Sequence, residues 1–278
     1  MNSSKVRRFE SNLLGRDFVM GDLHGMVELL EQAMQQVDFD PSRDRIFSVG
    51  DLIDRGTQSH RVAEVLQAPG LYGLKGNHEC MLLDVVDAFG IDAATMPEIY
   101  FRNGLGWWLD TPIELRREIV AAIHDLPLVM EIDSPRGGVG LVHADVPVGM
   151  DWQQFCDEIE RGGEVIAEHA TWSRERVKQG NERGVAGIGR VFVGHTPTFE
   201  GVARLGNVYY VDTGAVFGAL RGQPGACLTL ANIVMATTML QGATPAGALL
   251  NLVDSPAPPT TPFGNYARIG ASPGPHRT

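Results

Sequence analysis

Three times in the first ninety residues, a short apolar run ends in a turn crowded with polar side chains. Phe18-Val19-Met20 leads into Gly21-Asp22-Leu23-His24-Gly25. Ile46-Phe47-Ser48-Val49 leads into Gly50-Asp51-Leu52-Ile53-Asp54-Arg55-Gly56, and Leu71 to Leu74 leads into Lys75-Gly76-Asn77-His78-Glu79. Apolar runs bounded by turn residues read as buried strands. After the first turn, Met26, Leu29, Leu30, Ala33, Met34 and Val37 recur at the spacing of one helix face. Similar patterns follow around Val62, Val65 and Leu66, and around Met81, Leu82, Val85 and Val86. This alternation predicts an α/β sheet with parallel strand pairs. Such sheets place ligands at the carboxyl ends of their strands, so neighbouring strands bring the three loaded turns together.

The rest of the chain adds single histidines at strand ends. Residues 93–125 read as mostly helical, interrupted by Asn103-Gly104-Leu105-Gly106-Trp107-Trp108. Strands are expected at 128–132 and 139–142, the second delivering His143, and at 191–193, which ends in Gly194-His195-Thr196-Pro197. Residues 151–184 are polar and partly helical and include Trp172-Ser173-Arg174-Glu175-Arg176. Residues 208–211 run into Asp212-Thr213-Gly214, and 227–233 form the last expected strand. The organisation is therefore a polar arm over 1–13, one folded domain over 14–241, and a Pro/Ala/Gly-rich tail over 242–278 expected to be disordered.

A formal charge of −11 argues against nucleic acid or an anionic membrane as partner, since either needs a basic footprint. No apolar run approaches the ~20 residues that span a bilayer, and the first residues lack the apolar core of a signal peptide. Cys80, Cys156 and Cys227 are widely spaced and form no CxxC pair, which fits a reducing cytoplasm.

The polar residues that end strands are Asp22, His24, Asp51, Asn77, His143 and His195. Carboxylate, imidazole and amide oxygen together suit manganese, iron or zinc. Six such ligands are too many for one catalytic ion with an open position, but they suit two ions sharing a carboxylate. A pair roughly 3.5–4 Å apart clamps the attacking and leaving oxygens of an in-line phosphoryl displacement and supplies hydroxide at neutral pH.

The order D-x-H, GDxxDRG, GNHE and then histidines at strand ends resembles the calcineurin-like metallophosphoesterase superfamily. Within it the chain is most similar to the phosphoprotein phosphatase branch, in its bacteriophage lambda and bacterial Ser/Thr members. Asn103 to Trp107, His143-Ala144-Asp145-Val146-Pro147, Trp172 to Arg176, Gly194 to Pro197 and Asp212 to Phe217 carry the likeness further, which runs over 15–230. The resemblance implies a four-layer α/β/β/α sandwich of two mixed sheets with the site at strand carboxyl ends. It implies that Asp22 and His24 hold a first ion, that Asp51 bridges to a second held by Asn77 and His143, and that His195 belongs with the first. His78 would be the general acid, with Asp54 on its other nitrogen. Arg55 and Arg174 would hold phosphate oxygens, with Asn77 and Lys75 beside them, and Arg176 is the alternative to Arg174 or a partner for Glu175. Asp212 would orient a ligand histidine. Two divalent ions are implied, manganese first, with iron or zinc as alternatives.

The implied substrate is a phosphorylated protein (on Ser or Thr, with Tyr as an extension) or a small phosphomonoester. One departure stands out: Lys75 occupies a position usually held by arginine, keeping the charge but losing the bidentate fork. Three other readings remain. A symmetrical diadenosine tetraphosphate hydrolase uses the same metals, but Asp54, Glu79 and Thr196-Pro197 favour the protein phosphatase. The phosphodiesterase or nuclease branch has a GHxH ending, and here the position two after His195 is Pro197. A non-catalytic metal-binding scaffold predicts loss of a ligand or of the acid pair, and none is lost.

Overall fold

A computed structural model describes residues 4–233 and the backbone of 248–251. In chain order the elements are β1 (Val6–Phe9), β2 (Asp17–Met20), α1 (Val27–Gln36), β3 (Arg45–Ser48), α2 (Val62–Gln67), β4 (Leu71–Tyr72) and α3 (Asn77–Phe89). Next come α4 (Glu98–Arg102), α5 (Ile113–His124), β5 (Val129–Ile132), β6 (Val139–Val142), α6 (Trp152–Arg161), α7 (Glu164–Trp172) and α8 (Glu175–Gln179). The last are β7 (Arg190–Val193), β8 (Ala203–Leu205), β9 (Val208–Tyr210), α9 (Ala215–Arg221), β10 (Thr229–Asn232) and β11 (Ala248–Asn251). They build two mixed sheets, one in the order β1-β5-β6-β7-β9-β8 and the other β11-β10-β2-β3-β4.

Side chains alternate across each strand, and that period of two sorts the core into layers. On β2, Val19 faces the other sheet while Phe18 and Met20 face the helices; on β3, Phe47 and Ile46 divide the same way. On β7, Phe192 lies between the sheets while Val191 and Val193 pack outward. The outer face of the five-stranded sheet is covered by α1, α2, α3 and α5 through Leu30, Val62, Leu82 and Ile119. The outer face of the six-stranded sheet is covered by α6, α7 and α8 through Phe155, Ala170 and Val177. The four layers expected from the sequence are the ones found. Among the described residues, no helix is long and apolar enough to cross a membrane.

β2, β3 and β4 are mutually parallel, as are β6, β7 and β9. Their carboxyl ends meet where the sheets adjoin, so six strand ends feed one place.

Each chain end contributes a short strand. The polar arm holds β1, an edge strand parallel to β5. Its central Arg7 and Arg8 disguise it, but charge is tolerated on an edge. Val6 is buried, and Phe9 packs edge-on against Phe47 and Tyr72, with ring centroids 4.9 Å away in each case. In the tail, residues 248–251 form β11, parallel to β10. The surrounding Pro and Gly content hid a short apolar run that completes a sheet; the other residues of 242–278, apart from these four, lie outside the described residues.

Candidate active site

Backbone bonds assemble the turns first. The amides of Leu23 and His24 donate to Asp51 O at 3.1 and 2.8 Å, and Gly25 N donates to Leu52 O at 2.7 Å. The third turn is tied to the second by Glu79, a fully buried carboxylate at the start of α3. Its Oε2 accepts from Asp51 N at 2.9 Å and Gly76 N at 2.7 Å, and its Oε1 accepts from Leu52 N at 2.7 Å. The two sheets are then stitched together. His143 Nδ1–H donates to Val49 O at 2.8 Å, and His195 N donates to Asp22 Oδ2 at 3.1 Å.

The geometry is held against backbone preference. His24, Asp51, Asp54, Arg55 and His195 have φ between 47° and 73°, and the only other non-glycine residue described in that region is Asp38. Each such residue costs on the order of 1–3 kcal/mol, and clusters of them mark functional sites. The approach of backbone to carboxylate is equally tight. A Cβ on Gly76 would lie 2.1 Å from Asp51 Oδ1, and one on Gly194 would lie 2.0 Å from Asp22 Oδ1.

Asp51 stands at the centre. Its carboxylate belongs to two clusters whose ligand atoms lie within 4.8 Å of one another, one with His24 and His78 and one with His143 and His195. Asp51 Oδ1 is 3.3 Å from His143 Nε2, and Oδ2 is 3.7 Å from His24 Nε2 and 3.8 Å from His78 Nε2. Asn77 Oδ1 joins the second cluster, 2.9 Å from both His143 Nε2 and His195 Nδ1. Asp22 is buried alongside, interacting with the charges of Asp212 and Asp51.

This donor set fits divalent cations. His24 Nδ1–H donates to Ile53 O at 2.8 Å, which leaves its Nε2 lone pair facing Asp51. Such a carbonyl partner fixes a ligating tautomer. Burial, followed by neighbouring cations, holds His24 and His195 well below the usual imidazole range, so both are neutral. Burial works to raise Asp51, but His143, His78 and His24 outweigh it and hold its carboxyl well below the ordinary range. The other acids are starved of positive charge. Burial and then Asp212 and Asp51 push Asp22 well up, burial and Asp51 push Glu79 up to about 7, and burial pushes Asp212 up to about 6. A bound cation reverses that penalty. Within the structure the nearest positive group is the Arg55 guanidinium, which donates to His24 Nε2 at 2.6 Å and to His78 Nε2 at 2.9 Å.

Beside the clusters, His78 Nδ1–H donates to Asp54 Oδ2 at 2.6 Å, with both side chains fully buried. Asp54 Oδ1 accepts from Trp107 Nε1–H at 2.7 Å, and Asp54 N donates to Ser59 Oγ at 2.8 Å. Arg174 Nη2 donates to the carbonyl of His195 at 3.3 Å, which sets it at the rim.

Several expected roles are placed differently by the geometry. His195 groups with His143 and Asp51, whereas the resemblance set it with Asp22 and His24. His78 lies close enough to Asp51 and His24 to be grouped with them as well. Lys75 does not face Arg55. Its amide donates to Pro127 O at 2.8 Å, and its side chain lines a separate cavity of about 530 Å³ with Cys80, Asp84, Leu126 and Trp172. Arg176 is not a phosphate contact: buried at 1% exposure, its Nε donates to Asp145 Oδ1 at 2.8 Å and its Nη2 to Val146 O at 2.9 Å. Among the described residues Asp212 hydrogen-bonds no histidine; its Oδ1 accepts from Gly214 N at 2.9 Å and shapes the start of α9.

The comparisons with known proteins agree with this picture. The calcineurin-like phosphoesterase family model matches residues 18–199. Serine/threonine-protein phosphatase 1 of Salmonella typhimurium is 33% identical over 232 residues, covering 82% of this chain and 96% of that protein. Serine/threonine-protein phosphatase 2 of Escherichia coli is 29% identical over 77% of this chain and 94% of that protein. A symmetrical bis(5'-nucleosyl)-tetraphosphatase of Nitrosococcus oceani is 27% identical over 48% of this chain and 45% of that protein. Among solved structures, one provisionally described as a diadenosine tetraphosphatase has a TM-score of 0.58 at 21% identity, covering 83% of this chain and 94% of that one. A protein serine/threonine phosphatase from Saccharomyces cerevisiae scores 0.52 at 13% identity, covering 85% of each chain. These two share the fold. With its site, its motif order and a family match over more than half its length, the chain belongs to the calcineurin-like metallophosphoesterases, in the phosphoprotein phosphatase branch, and is a hydrolase of phosphoric esters.

Proposed function

We propose that the protein hydrolyses phosphomonoesters, chiefly phosphoserine and phosphothreonine in proteins, using two divalent ions. The proposed catalytic domain is residues 14–241. The observation that carries the reading is the buried Asp54–His78 pair, set beside two ligand clusters that share Asp51. Asp22, His24, Asp51, Asn77, His143 and His195 would hold the ions, with manganese as the native pair. When bound, such ions supply Lewis acidity at phosphoryl oxygens and a nucleophilic water at neutral pH. Arg55 and Arg174 offer planar guanidinium groups to the equatorial oxygens. His78 is the general acid, acting through Nε2 on the leaving alkoxide, while Asp54 on Nδ1 orients the ring. Cys80, Cys156 and Cys227 are free thiols, which supports a cytoplasmic setting.

The protein reading is preferred because relatives named as Ser/Thr phosphatases match over most of both chains, whereas the tetraphosphatase of Nitrosococcus oceani matches over about half. Symmetrical cleavage of diadenosine tetraphosphate is the second reading, since proteins named as symmetrical bis(5'-nucleosyl)-tetraphosphatases are also among the relatives matched. The test is phosphate release from phosphoserine peptides and turnover of diadenosine tetraphosphate, measured in parallel with manganese and with chelator. Peptide turnover should be the faster and should vanish on chelation. Faster dinucleotide turnover replaces the first reading with the second, and activity that survives chelation removes the metal mechanism.

A further inference from the structure

Asp54 and Arg55 stand side by side in left-handed backbone, at φ 73° and 66°. Asp visits this region singly, but two successive non-glycine residues there, one of them an arginine, need holding from outside the turn. Within the GDxxDRG turn Gly56 N donates to Asp54 O at 2.7 Å, while Asp54 N is taken by Ser59. Glu79 and the first turn hold its opening residues, and a further restraint at Asp54 and Arg55 arrives from a segment some fifty residues away, between α4 and α5.

That segment is the single helical turn Leu105–Trp108 with Gly104 before it. Gly104, at φ 100°, sits so close that a Cβ there would lie 2.5 Å from Arg55 N, and its carbonyl accepts from that amide at 3.4 Å. Leu105 and Trp108 are fully buried in the helix-side core and anchor the turn. Trp107, between them in sequence and only half-buried, spends its one polar atom on Asp54 Oδ1, at 2.7 Å. The other oxygen of the same carboxylate is the one on His78 Nδ1.

We infer that Trp107 is a positioning residue for general-acid catalysis: its indole N–H fixes the Asp54 carboxylate, and through it the His78 ring, so that Nε2 points at the leaving oxygen. Asp54 has two oxygens and two donors, one on each. Without Trp107 the carboxylate can rotate about its Cβ–Cγ bond and the imidazole loses its fixed plane. An indole N–H is a donor only, so the bond runs in one direction and sets the rotamer. This inference rests on the proposed role of His78, and its test is chosen to separate the two.

The experiment uses Trp107→Phe, which keeps an aromatic ring against the core and removes only the donor. Turnover is compared on a phosphoserine peptide, whose alkoxide needs a proton to leave, and on p-nitrophenyl phosphate, whose phenolate leaves without one. The expected result is a loss of about tenfold or more in kcat on the peptide, with KM little changed and p-nitrophenyl phosphate nearly spared. In a His78→Ala background, Trp107→Phe should cost nothing further, because partners in one network are not additive. Equal losses on both substrates, or a full further loss in the His78→Ala background, overturn the positioning role and leave Trp107 as packing. If His78→Ala itself fails to separate the substrates, the acid assignment fails first. If His78→Ala separates them and Trp107→Phe does not, this inference alone fails.

Discussion

Asp51→Asn is expected to lower phosphate release by on the order of a thousandfold and to empty both metal seats together. The reasoning is geometric. Asp51 is the single residue common to the two ligand clusters, with Oδ1 3.3 Å from His143 and Oδ2 3.7 Å from His24. An amide keeps one acceptor oxygen but loses the negative charge that two bound ions would share, and it would turn an NH₂ donor toward one of the seats. The fold should survive. Asn tolerates the left-handed backbone that Asp51 adopts at φ 51°, and the carbonyl that receives Leu23 N and His24 N is untouched. Metal content by elemental analysis and turnover on a phosphopeptide check this together. Retention of one full equivalent of metal would show that one cluster stands without the shared carboxylate.

His78→Ala is expected to cost between about a hundredfold and ten-thousandfold in kcat on a phosphoserine peptide, the usual range for a general acid, with the metal content unchanged. Here the structure offers a real competitor. His78 Nε2 lies 3.8 Å from Asp51 Oδ2, close enough to be counted with His24 as a ligand. What separates it from His24 is the partner on the other nitrogen. His24 Nδ1 sits on a backbone carbonyl, whereas His78 Nδ1 sits on a buried carboxylate, Asp54. That buried pair sets His78 beside the clusters as an acid–base dyad, and the metal content of the variant decides between the two roles. Loss of metal in His78→Ala would make it a ligand and leave the acid unassigned.

Much of this architecture could be read in the sequence because its signals are local. Val19 and Phe47 belong to short near-continuous apolar runs bounded by turns, and Leu29, Leu30 and Ala33 to a helical stripe, so β2, β3 and α1 follow from neighbouring residues alone. The clustering of Asp22, His24, Asp51, Asn77, His143 and His195 follows from parallel topology, which brings strand ends to one edge whatever the loops do. The misplacements share a different cause. Lys75 lines a cavity with residues from other elements, such as Leu126 and Trp172, and the partner of Arg176 is Asp145 rather than the adjacent Glu175; both are settled by contacts distant in the chain. The carbonyls of Val49 and Ile53 that set two histidine tautomers leave no mark in residue identity. The donor role of Trp107 needs the position of Asp54, 53 residues earlier. β1 was hidden by Arg7 and Arg8, and only an edge position makes such a strand admissible.

The central claim is that Asp51 bridges two cations. Crystals grown with manganese and measured at its absorption edge test it most directly. The account predicts two anomalous peaks about 3.5–4 Å apart, one on each side of the Asp51 carboxylate, with His24 at one and His143 at the other. A single peak, or two peaks that do not share Asp51, would contradict it.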